Sequence, residues 1–305
     1  TMPMKPMPPE TATAAPLAAA TAMAVAVPTV QADWDDGPGR GWKSYGGPSR
    51  GWGTVKGRPD RGDCPFTRRQ LARAINAAED AETGGYSLDM WVVLVDPTGT
   101  VCDVQNSSGV NGEQTGNAQW LGSRVIAAQK AYTANAFSLD AYAISTANLF
   151  TATQPGNSLF ELPESNPVNA EVAYAGPARL WGRRRDPLVG ERMGGVNVFG
   201  GGLALYNEDN EKIGAIGVSG DTSCRDHAYA WRIRAALGAE PGGTGITTVN
   251  FEVDGTDATP LAEGLAGDEI ILDLDGKAVD PYWDNWEHAA CPNTAVGAEN
   301  GVVEN

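Results

Sequence analysis

Apolar residues recur with a helical period in several stretches of the chain, and each of these stretches predicts a helix. The first helix begins at Thr67, which forms a capping box with Gln70 ahead of apolar residues spaced three and four positions apart. A second is predicted over residues 118–137, where the apolar face has the same spacing and many small residues allow close packing on a sheet. A further short helix is predicted over residues 141–150.

Shorter apolar runs bounded by turn residues predict β-strands. Residues 90–95 and 100–105 predict a first hairpin, with Pro97-Thr98-Gly99 as its turn. Two further short strands are predicted nearer the C-terminus, at residues 247–253 and 269–274. The chain therefore combines helical and strand-forming segments.

A second hairpin is predicted to run directly into a helix. Apolar or β-favouring runs at residues 196–199 and 203–206 precede its turn, and the uncharged run 213–218 supplies a buried return strand. The side-chain oxygens of residues 221–223 are candidates for the helix N-cap, and Gly238 closes the helix. Backbone amides and a helix N-terminus are thus expected to converge after the return strand.

The order helix, hairpin, helix, long loop, hairpin and helix defines a fold class. It predicts an α+β domain in which an antiparallel sheet is flanked by helices. We assign this domain to residues 67–242. Long N- and C-terminal extensions flank it: a signal-like or retained Ala/Pro-rich arm at residues 1–32, a Gly/Trp-rich wrap at residues 33–66 and an acidic C-terminal extension at residues 243–305.

The N-terminal arm has two interpretations that the sequence leaves open. Lys5, an Ala/Val-rich run at residues 17–27 and Val30-Gln31-Ala32 resemble a secretory signal with a small-residue cleavage site. In the other interpretation the arm is retained, and residues 22–30 add as a strand to a neighbouring subunit. The first predicts a periplasmic or secreted protein, and the second predicts contacts within a homo-oligomer or with other protein subunits.

The charge balance excludes several classes of partner. The 305 residues carry 22 Lys and Arg against 38 Asp and Glu, a formal net charge of -16. Such a field repels nucleic acids and anionic lipid, so we expect no nucleic-acid partner. The sequence also contains no run of about 18 strictly apolar residues, so no membrane span is predicted.

Four cysteines bear on covalent structure and on metal binding. They form no C-x-x-C or C-x-x-C-H pattern, so neither a sequence-evident zinc site nor covalent c-type haem is predicted. An even number in an exported chain is compatible with two disulfides, for which several connectivities exist. We favour Cys224 with Cys291, which staples the C-terminal extension to the core, and Cys64 with Cys102, which ties the first helix to its neighbouring strand.

Two segments carry a family resemblance. The run KIGAIGVSGDTSCRDHAYA at residues 212–230, which follows a GG-containing strand, resembles the closing motif of the GlcG/HbpS-like haem-binding family. KAYTANAF at residues 130–137 is similar to the family's KA-x-TA-x-x-F helix end. The resemblance covers about residues 67–239 and implies a profilin-like fold, multimers and binding of haem or a related tetrapyrrole. Residues 106–109 depart from it, because they read Asn-Ser-Ser-Gly where the family often has Arg-x-Asp-Gly-Ala.

The resemblance also implies a set of site residues around these motifs. Haem is the implied cofactor, and His227 is the candidate metal ligand because imidazole binds haem iron well. Simpler interpretations stand beside this one: a solvated side chain for Lys130, a polar surface residue for His227, and an ionised structural carboxylate near the helix N-terminus for Asp226. The full set of candidate cofactor-binding residues is His227, Asp226, Lys130, Thr133, Gly220 and Ser219.

Residues 151–193 form a long loop with several prolines, and ordered loops of this length are often functional. We expect the loop to reach the same end of the domain as the second predicted hairpin and to bring with it Phe160, Tyr174, Trp181 and the arginines of residues 183–185. These side chains would line a binding site for a planar ligand that bears carboxylates. Pairing of the arginines with Asp or Glu of a neighbouring subunit is the alternative.

Three functions remain open from the sequence. The first is an exported haem- or tetrapyrrole-binding protein that forms an oligomer, which the resemblance implies. The second is a structural subunit of a multi-protein or filamentous assembly, which uses its terminal arms for contacts and has no catalysis of its own. The third is an enzyme on the same fold. It gains little support, because the chain has two histidines and neither a G-x-S-x-G elbow nor a dinucleotide fingerprint.

Overall fold

Four antiparallel strands form the central sheet of the domain. They are β1 (Trp91–Val95), β2 (Val101–Asn106), β3 (Gly202–Tyr206) and β4 (Lys212–Ser219). Their order across the sheet is β2-β1-β4-β3, so β2 and β3 lie at its two edges. The computed structural model describes residues 64–79, 84–108, 120–248, 252–253, 256–257, 265–273, 286–292 and 296–304.

Helices cover both faces of this sheet. The helices are α1 (Arg68–Glu79), α2 (Gly122–Phe137), α3 (Leu162–Ser165), α4 (Ala170–Ala173) and α5 (Ser223–Leu237). Helices α1 and α5 pack on one face and on each other, and α2 packs on the other face. This arrangement confirms the predicted α+β fold, in which an antiparallel sheet is flanked by helices. None of the helices in the described part of the chain has the length and apolar character that a membrane span needs.

The central strand β1 is buried along its whole length and serves both faces of the sheet. Val92 and Leu94 pack in the cluster that contains α1 and α5. Trp91, Val93 and Val95 pack in the cluster that contains α2. Because alternate side chains of a strand point to opposite faces, a strand covered on both sides must be apolar throughout. This explains the run of five apolar residues in the sequence.

Helix α1 begins where the sequence predicts. The backbone N of Thr67 donates to Gln70 Oε1 at 2.9 Å, and the backbone N of Gln70 donates to Thr67 Oγ1 at 3.3 Å. These two bonds are the predicted capping box. The predicted disulfide between Cys64 and Cys102 is also present, and it ties the residues before α1 to β2.

Helix α2 lies close to the sheet because β4 presents a glycine to it. A Cβ added at Gly217 would lie 1.9 Å from the carbonyl oxygen of Ala127 and 2.5 Å from the backbone N of Ala131. The facing side of α2 is rich in small buried residues, among them Ala128 and Ala134. Glycine opposite alanine therefore sets the distance between helix and sheet.

A second, smaller sheet covers α5. The remaining strands are β5 (Glu252–Val253), β6 (Thr256–Asp257), β7 (Ile270–Asp273), β8 (His288–Ala289) and β9 (Val302–Glu304). Strands β8, β7 and β9 pair in parallel, with β7 in the middle. Ile270, Leu272 and Val302 of this C-terminal sheet pack with Cys224 and Ala228 of α5.

One disulfide and one buried ion pair join the C-terminal sheet region to α5. The predicted disulfide between Cys224 and Cys291 is present, with the two Cα atoms 6.1 Å apart. Arg234 of α5 forms a bidentate pair with Asp268, at 2.6 Å and 2.8 Å, and both side chains are fully buried. The acidic C-terminal extension therefore contains a part that is built into the core.

Another buried arginine, on α2, holds the long loop that follows this helix. Arg124 of α2 pairs with Asp186 through two of its nitrogens, and both side chains are fully buried. The guanidinium of Arg124 also lies 4.5 Å from the ring centroid of Trp181. One charged residue of α2 thus fixes a loop that the sequence predicts only as irregular.

Two predicted elements are absent from the structure. Residues 196–199 form no strand, because the backbone N of Val196 donates to the Asn166 carbonyl and that of Asn197 donates to Thr133 Oγ1. Residues 141–150 form turns instead of a helix. Asn148 Oδ1 accepts hydrogen bonds from both the backbone N and the Oγ of Ser145 at 2.9 Å, and such local bonds compete with a helix.

The observed boundaries of other elements differ from the predicted ones by a few residues. Helix α2 begins at Gly122 rather than residue 118, and Leu121 is exposed rather than part of its apolar face. Residues 246–248 form a turn and residues 252–253 form β5, and the other residues of the strand predicted over residues 247–253 lie outside the described part of the chain. The predictions for the N-terminal arm and for most of the wrap fall within residues 1–63, which lie outside the described residues.

We expect Gly217→Ala to lower the free energy of unfolding by about 3 kcal/mol, because the new Cβ collides with the backbone of α2. Gly122→Ala is the matched control, since a Cβ at Gly122 meets no atom within 4 Å. The control should change stability by less than about 0.5 kcal/mol. Urea unfolding of the full chain measures both, and equal stability of the two variants would contradict the close contact.

Candidate functional site

Helix α5 begins directly against a glycine-rich loop that leads into β3. Thr222 caps the helix with its side chain. A Cβ at Gly200 would lie 2.4 Å from the carbonyl oxygen of Ser223, and one at Gly201 would lie 2.4 Å from that of Val218. Glycine alone allows the backbone to pass this close to the helix and to β4.

Lys130 of α2 and Asp226 of α5 form a buried ion pair against this loop. Lys130 Nζ lies 2.8 Å from Asp226 Oδ2 and donates a second hydrogen bond to the Val218 carbonyl at 3.0 Å. Asp226 Oδ1 accepts a hydrogen bond from the backbone N of Asp221 at 2.9 Å. The side chains of the pair are 0% and 3% exposed. The pair therefore joins α2, the end of β4 and the first turn of α5 away from solvent.

Burial changes the pKa of both partners. It raises the pKa of Asp226 to about 6, against the opposing effects of the Lys130 ammonium and the Asp221 amide. It lowers the pKa of Lys130, against the opposing effect of the Asp226 carboxylate. Each charge thus stabilises the other where desolvation disfavours both. The expectation of a solvated Lys130 is wrong, because its side chain is fully buried.

His227 is also buried, so the expectation of a polar surface residue is wrong. Its ring stacks on that of Trp231, with centroids 6.0 Å apart. Neither ring nitrogen has a hydrogen-bond partner among the residues that the structure describes. Burial lowers the pKa of His227 well below its usual range, and the nearby charges of Arg234, His288 and Lys130 lower it further. The ring is therefore a neutral imidazole with unpartnered nitrogens.

The three other predicted site residues support the backbone. Thr133 Oγ1 accepts a hydrogen bond from the backbone N of Asn197 at 3.0 Å, which holds the segment before the glycine loop. Ser219 is the last residue of β4 and pairs with β1. A Cβ at Gly220 would lie 2.6 Å from the Asp89 carbonyl oxygen, so this position requires glycine. The six predicted residues thus lie around one junction, at which His227 alone keeps unpartnered ring atoms.

Asp221 has a larger role than the sequence indicates. Its carboxylate accepts hydrogen bonds from the backbone N of Tyr86 at 2.9 Å and of Leu88 at 3.0 Å. It also lies 3.7 Å from Arg225 in an ion pair. Asp221 therefore fixes the segment before β1 to the head of α5. Its place directly after the Ser219-Gly220 end of β4 is the sequence signal for this role.

A separate cavity of about 330 Å³ lies beside the Cys64–Cys102 disulfide. Arg68, Asp103, Arg184 and Arg185 contribute to its lining. Arg184 and Arg185 are exposed and have no polar partner among the described residues. The cavity adjoins β2, at the opposite edge of the sheet from β3. The expectation that these arginines lie with the glycine-bearing hairpin is therefore wrong.

A family model accounts for the central part of the chain. The model of the HbpS-like family, described as haem degrading protein HbpS-like, matches residues 66–234. This is more than half of the 305 residues, and the chain belongs to the HbpS-like family. The C-terminal sheet lies beyond the matched residues. A comparison with curated proteins gives no match.

Two solved structures are similar to part of the chain. Protein ORFY of Klebsiella pneumoniae is 22% identical with a TM-score of 0.35, and the match covers 56% of this chain and 87% of that one. The PduOC:Heme complex is 24% identical with a TM-score of 0.37, and the match covers 57% of this chain and 93% of that one. Neither match extends over the whole chain.

We expect Lys130→Met to lower the free energy of unfolding by about 3–5 kcal/mol, because it leaves Asp226 buried without its counter-charge. Asp226→Asn should cost a similar amount. The double variant Lys130→Met/Asp226→Asn should cost clearly less than the sum, since no unpaired charge remains. Urea unfolding at neutral pH measures the three values.

Arg69→Met is the control for this cycle, because Arg69 is an exposed cation of α1. Its effect should remain within about 0.5 kcal/mol. Additive losses in the double variant would show that Lys130 and Asp226 do not stabilise each other.

The two histidines should make the protein less stable in mild acid. Burial lowers the pKa of His288 from 6.5 to about 4 and that of His227 well below 6.5, so the unfolded chain binds protons that the native chain does not. Stability should fall as pH decreases from about 6.5 towards 4, by roughly 1 kcal/mol per pH unit for each histidine. Asp226 acts in the opposite direction, because its pKa is raised from 3.8 to about 6.

Unfolding free energies measured between about pH 7 and pH 5 test this dependence. In the double variant His227→Asn/His288→Gln the fall should disappear, and the opposite slope from Asp226 should become visible. An unchanged slope in that variant would assign the acid sensitivity to other groups.

Proposed function

We propose that this chain binds haem or a related tetrapyrrole through its HbpS-like domain, with His227 as the ligand to iron. Membership of the HbpS-like family supports haem as the class of ligand. The structural observation that carries the proposal is the neutral imidazole of His227, whose two ring nitrogens are unpartnered among the described residues. A neutral imidazole is the state that binds iron.

The neighbours of His227 have a supporting role in this proposal. Lys130 and Asp226 already satisfy each other, and Asp226 holds the first turn of α5 through Asp221. Their pairing fixes the helix from which His227 projects. The ring orientation is set further by the stacked Trp231. We therefore propose that these residues position the ligand and that His227 alone contacts the iron.

Access to His227 requires a local movement, because its side chain is 0% exposed. The C-terminal sheet packs on Cys224 and Ala228, which are close neighbours of His227 on α5. This sheet follows the residues that match the family model. Local opening of such a peripheral unit requires less free energy than global unfolding. We propose that haem reaches His227 by a local opening of the C-terminal sheet on α5, during which the Cys224–Cys291 disulfide keeps the two segments attached.

Export and oligomer formation belong to the same proposal. Two disulfides join the four cysteines of the chain, and disulfides persist in oxidising compartments such as the periplasm or the extracellular space. This supports a periplasmic or secreted location. Multimers are what the family resemblance implies, and the exposed Arg184 and Arg185 are candidates for contacts with acidic residues of a second copy.

A haemin titration of the full chain tests the proposal. We expect a Soret band that shifts on binding, because imidazole ligation changes the iron spectrum. The band should be lost or strongly weakened in His227→Ala. Native mass spectrometry of the same samples measures the oligomer and the number of haems for each chain.

His288→Ala is the matched control, because it removes the other buried histidine of the chain and should keep the haemin spectrum. Metal-free protoporphyrin IX, followed by its fluorescence, should still bind to His227→Ala, since its binding involves no bond to iron. Equal haemin spectra for the parent and His227→Ala would exclude His227 as the ligand. An oligomer without any haemin binding would favour the structural role instead.

A further inference from the structure

The disulfide between Cys224 and Cys291 lies next to both histidines of the chain. Cys224 and His227 are three residues apart on α5, and His288 and Cys291 are three residues apart at β8. Residues three apart on a helix share a face. Two sulfurs and an imidazole are therefore brought together by segments that are far apart in sequence.

The distances in this cluster suit a single metal ion. The sulfur atoms of Cys224 and Cys291 and a ring nitrogen of His288 all lie within 4.8 Å of one another. Ligands of a tetrahedral zinc ion with bonds of about 2.3 Å lie roughly 3.8 Å apart. The two cysteine Cα atoms are 6.1 Å apart, so side-chain rotation alone can open the sulfurs to this separation.

His288 is prepared for coordination. Its Nδ1 donates a hydrogen bond to the Ala289 carbonyl at 2.7 Å, which leaves Nε2 with a free lone pair. Nε2 is buried and has no hydrogen-bond partner among the described residues. Metal-bound histidines commonly donate the other ring N–H to a carbonyl, which fixes the tautomer. A buried nitrogen without a partner is costly, and coordination would remove that cost.

We propose that, once the Cys224–Cys291 disulfide is reduced, the two thiolates and the imidazole of His288 bind a zinc ion. A dithiol reductant breaks the S–S bond, supplies two electrons and two protons, and itself becomes a disulfide. The two thiols then lose their protons to solvent as zinc binds. Two thiolates and one imidazole form a donor set typical of zinc, and a water molecule completes the tetrahedron.

The zinc ion would link α5 to the C-terminal sheet in the reduced chain, as the disulfide does in the oxidised chain. In the oxidised state a covalent bond holds the C-terminal sheet on α5, and in the reduced state the shared ion holds the same two segments. Cys291 is only partly buried, so reductant and metal can reach the pair from outside. Oxidation by a disulfide exchange partner reverses the process and releases zinc. The site therefore couples the redox state of the chain to its metal content.

Zinc and cobalt binding to the full chain test this inference. The chain is reduced with a phosphine, which becomes a phosphine oxide and leaves no competing thiol. We expect one zinc ion for each reduced chain and none for the oxidised chain. Cobalt in place of zinc should give the sulfur-to-metal charge-transfer band and the intense visible bands of a tetrahedral site. The experiment is done in a Cys64→Ser/Cys102→Ser background, so that only one pair of thiols is present.

Variants identify the ligands. Cys224→Ser/Cys291→Ser should abolish zinc binding, and His288→Ala should weaken it by more than about tenfold, at least the loss seen when a second-shell partner is removed. His227→Ala is the matched control and should keep zinc. Because His227→Ala is the variant expected to lose haem, failure of the haem proposal and failure of this one are distinguishable.

Two results would overturn the inference, and a third would remove His288 from it. One is a reduced chain with all four native cysteines that gives only the weak spectrum of octahedral cobalt, a result that needs no variant and no assumption about the folding of one. The other is equal zinc affinity of His288→Ala and the parent, with the far-UV circular dichroism of both unchanged. Equal losses in the two histidine variants would likewise remove His288 as the specific ligand.

Discussion

The buried pair of Lys130 and Asp226 is the interaction on which the architecture of this domain depends. Its partners belong to helices that cover opposite faces of the sheet, and they meet beside the loop that enters β3. A Cβ at Gly201 would lie 3.1 Å from Lys130 Nζ and 3.0 Å from Asp226 Cβ, so the contact exists because this position is glycine. The lysine helix end, the glycine loop and the acidic head of α5 are therefore parts of one structural junction.

The elements with strong local signals could be predicted from the sequence. The capping box of α1, the apolar run of β1 and the helix that follows β4 depend on neighbours within a few residues. The disulfide pairing favoured from the sequence is the one present, but the sequence itself is compatible with all three connectivities. The conformation of residues 196–199 could not be predicted, since their backbone bonds go to Asn166 and Thr133, which are distant in sequence.

The candidate site likewise combines features that local sequence motifs predict with features that depend on contacts distant in sequence. The sequence places Lys130, Asp226 and His227 near one another through two motifs, but it does not predict their burial. Asp226 meets a lysine from α2, which covers the other face of the sheet, and Cys224 and Ala228 on either side of His227 pack against the C-terminal sheet. No local pattern encodes these contacts. The position of Arg184 and Arg185 beside β2 was missed for the same reason, because Arg124 and Asp186 decide the path of their loop from within the core.

The bond between Cys224 and Cys291 closes a loop of chain with a sequence separation of 67 residues. A protease that cuts the backbone once inside this loop produces two polypeptides that remain a single molecule. Under non-reducing electrophoresis such a nicked protein runs as an undivided species, and only a reducing gel separates the fragments. Molecular mass in the oxidised state therefore does not report whether the backbone is continuous across the C-terminal region.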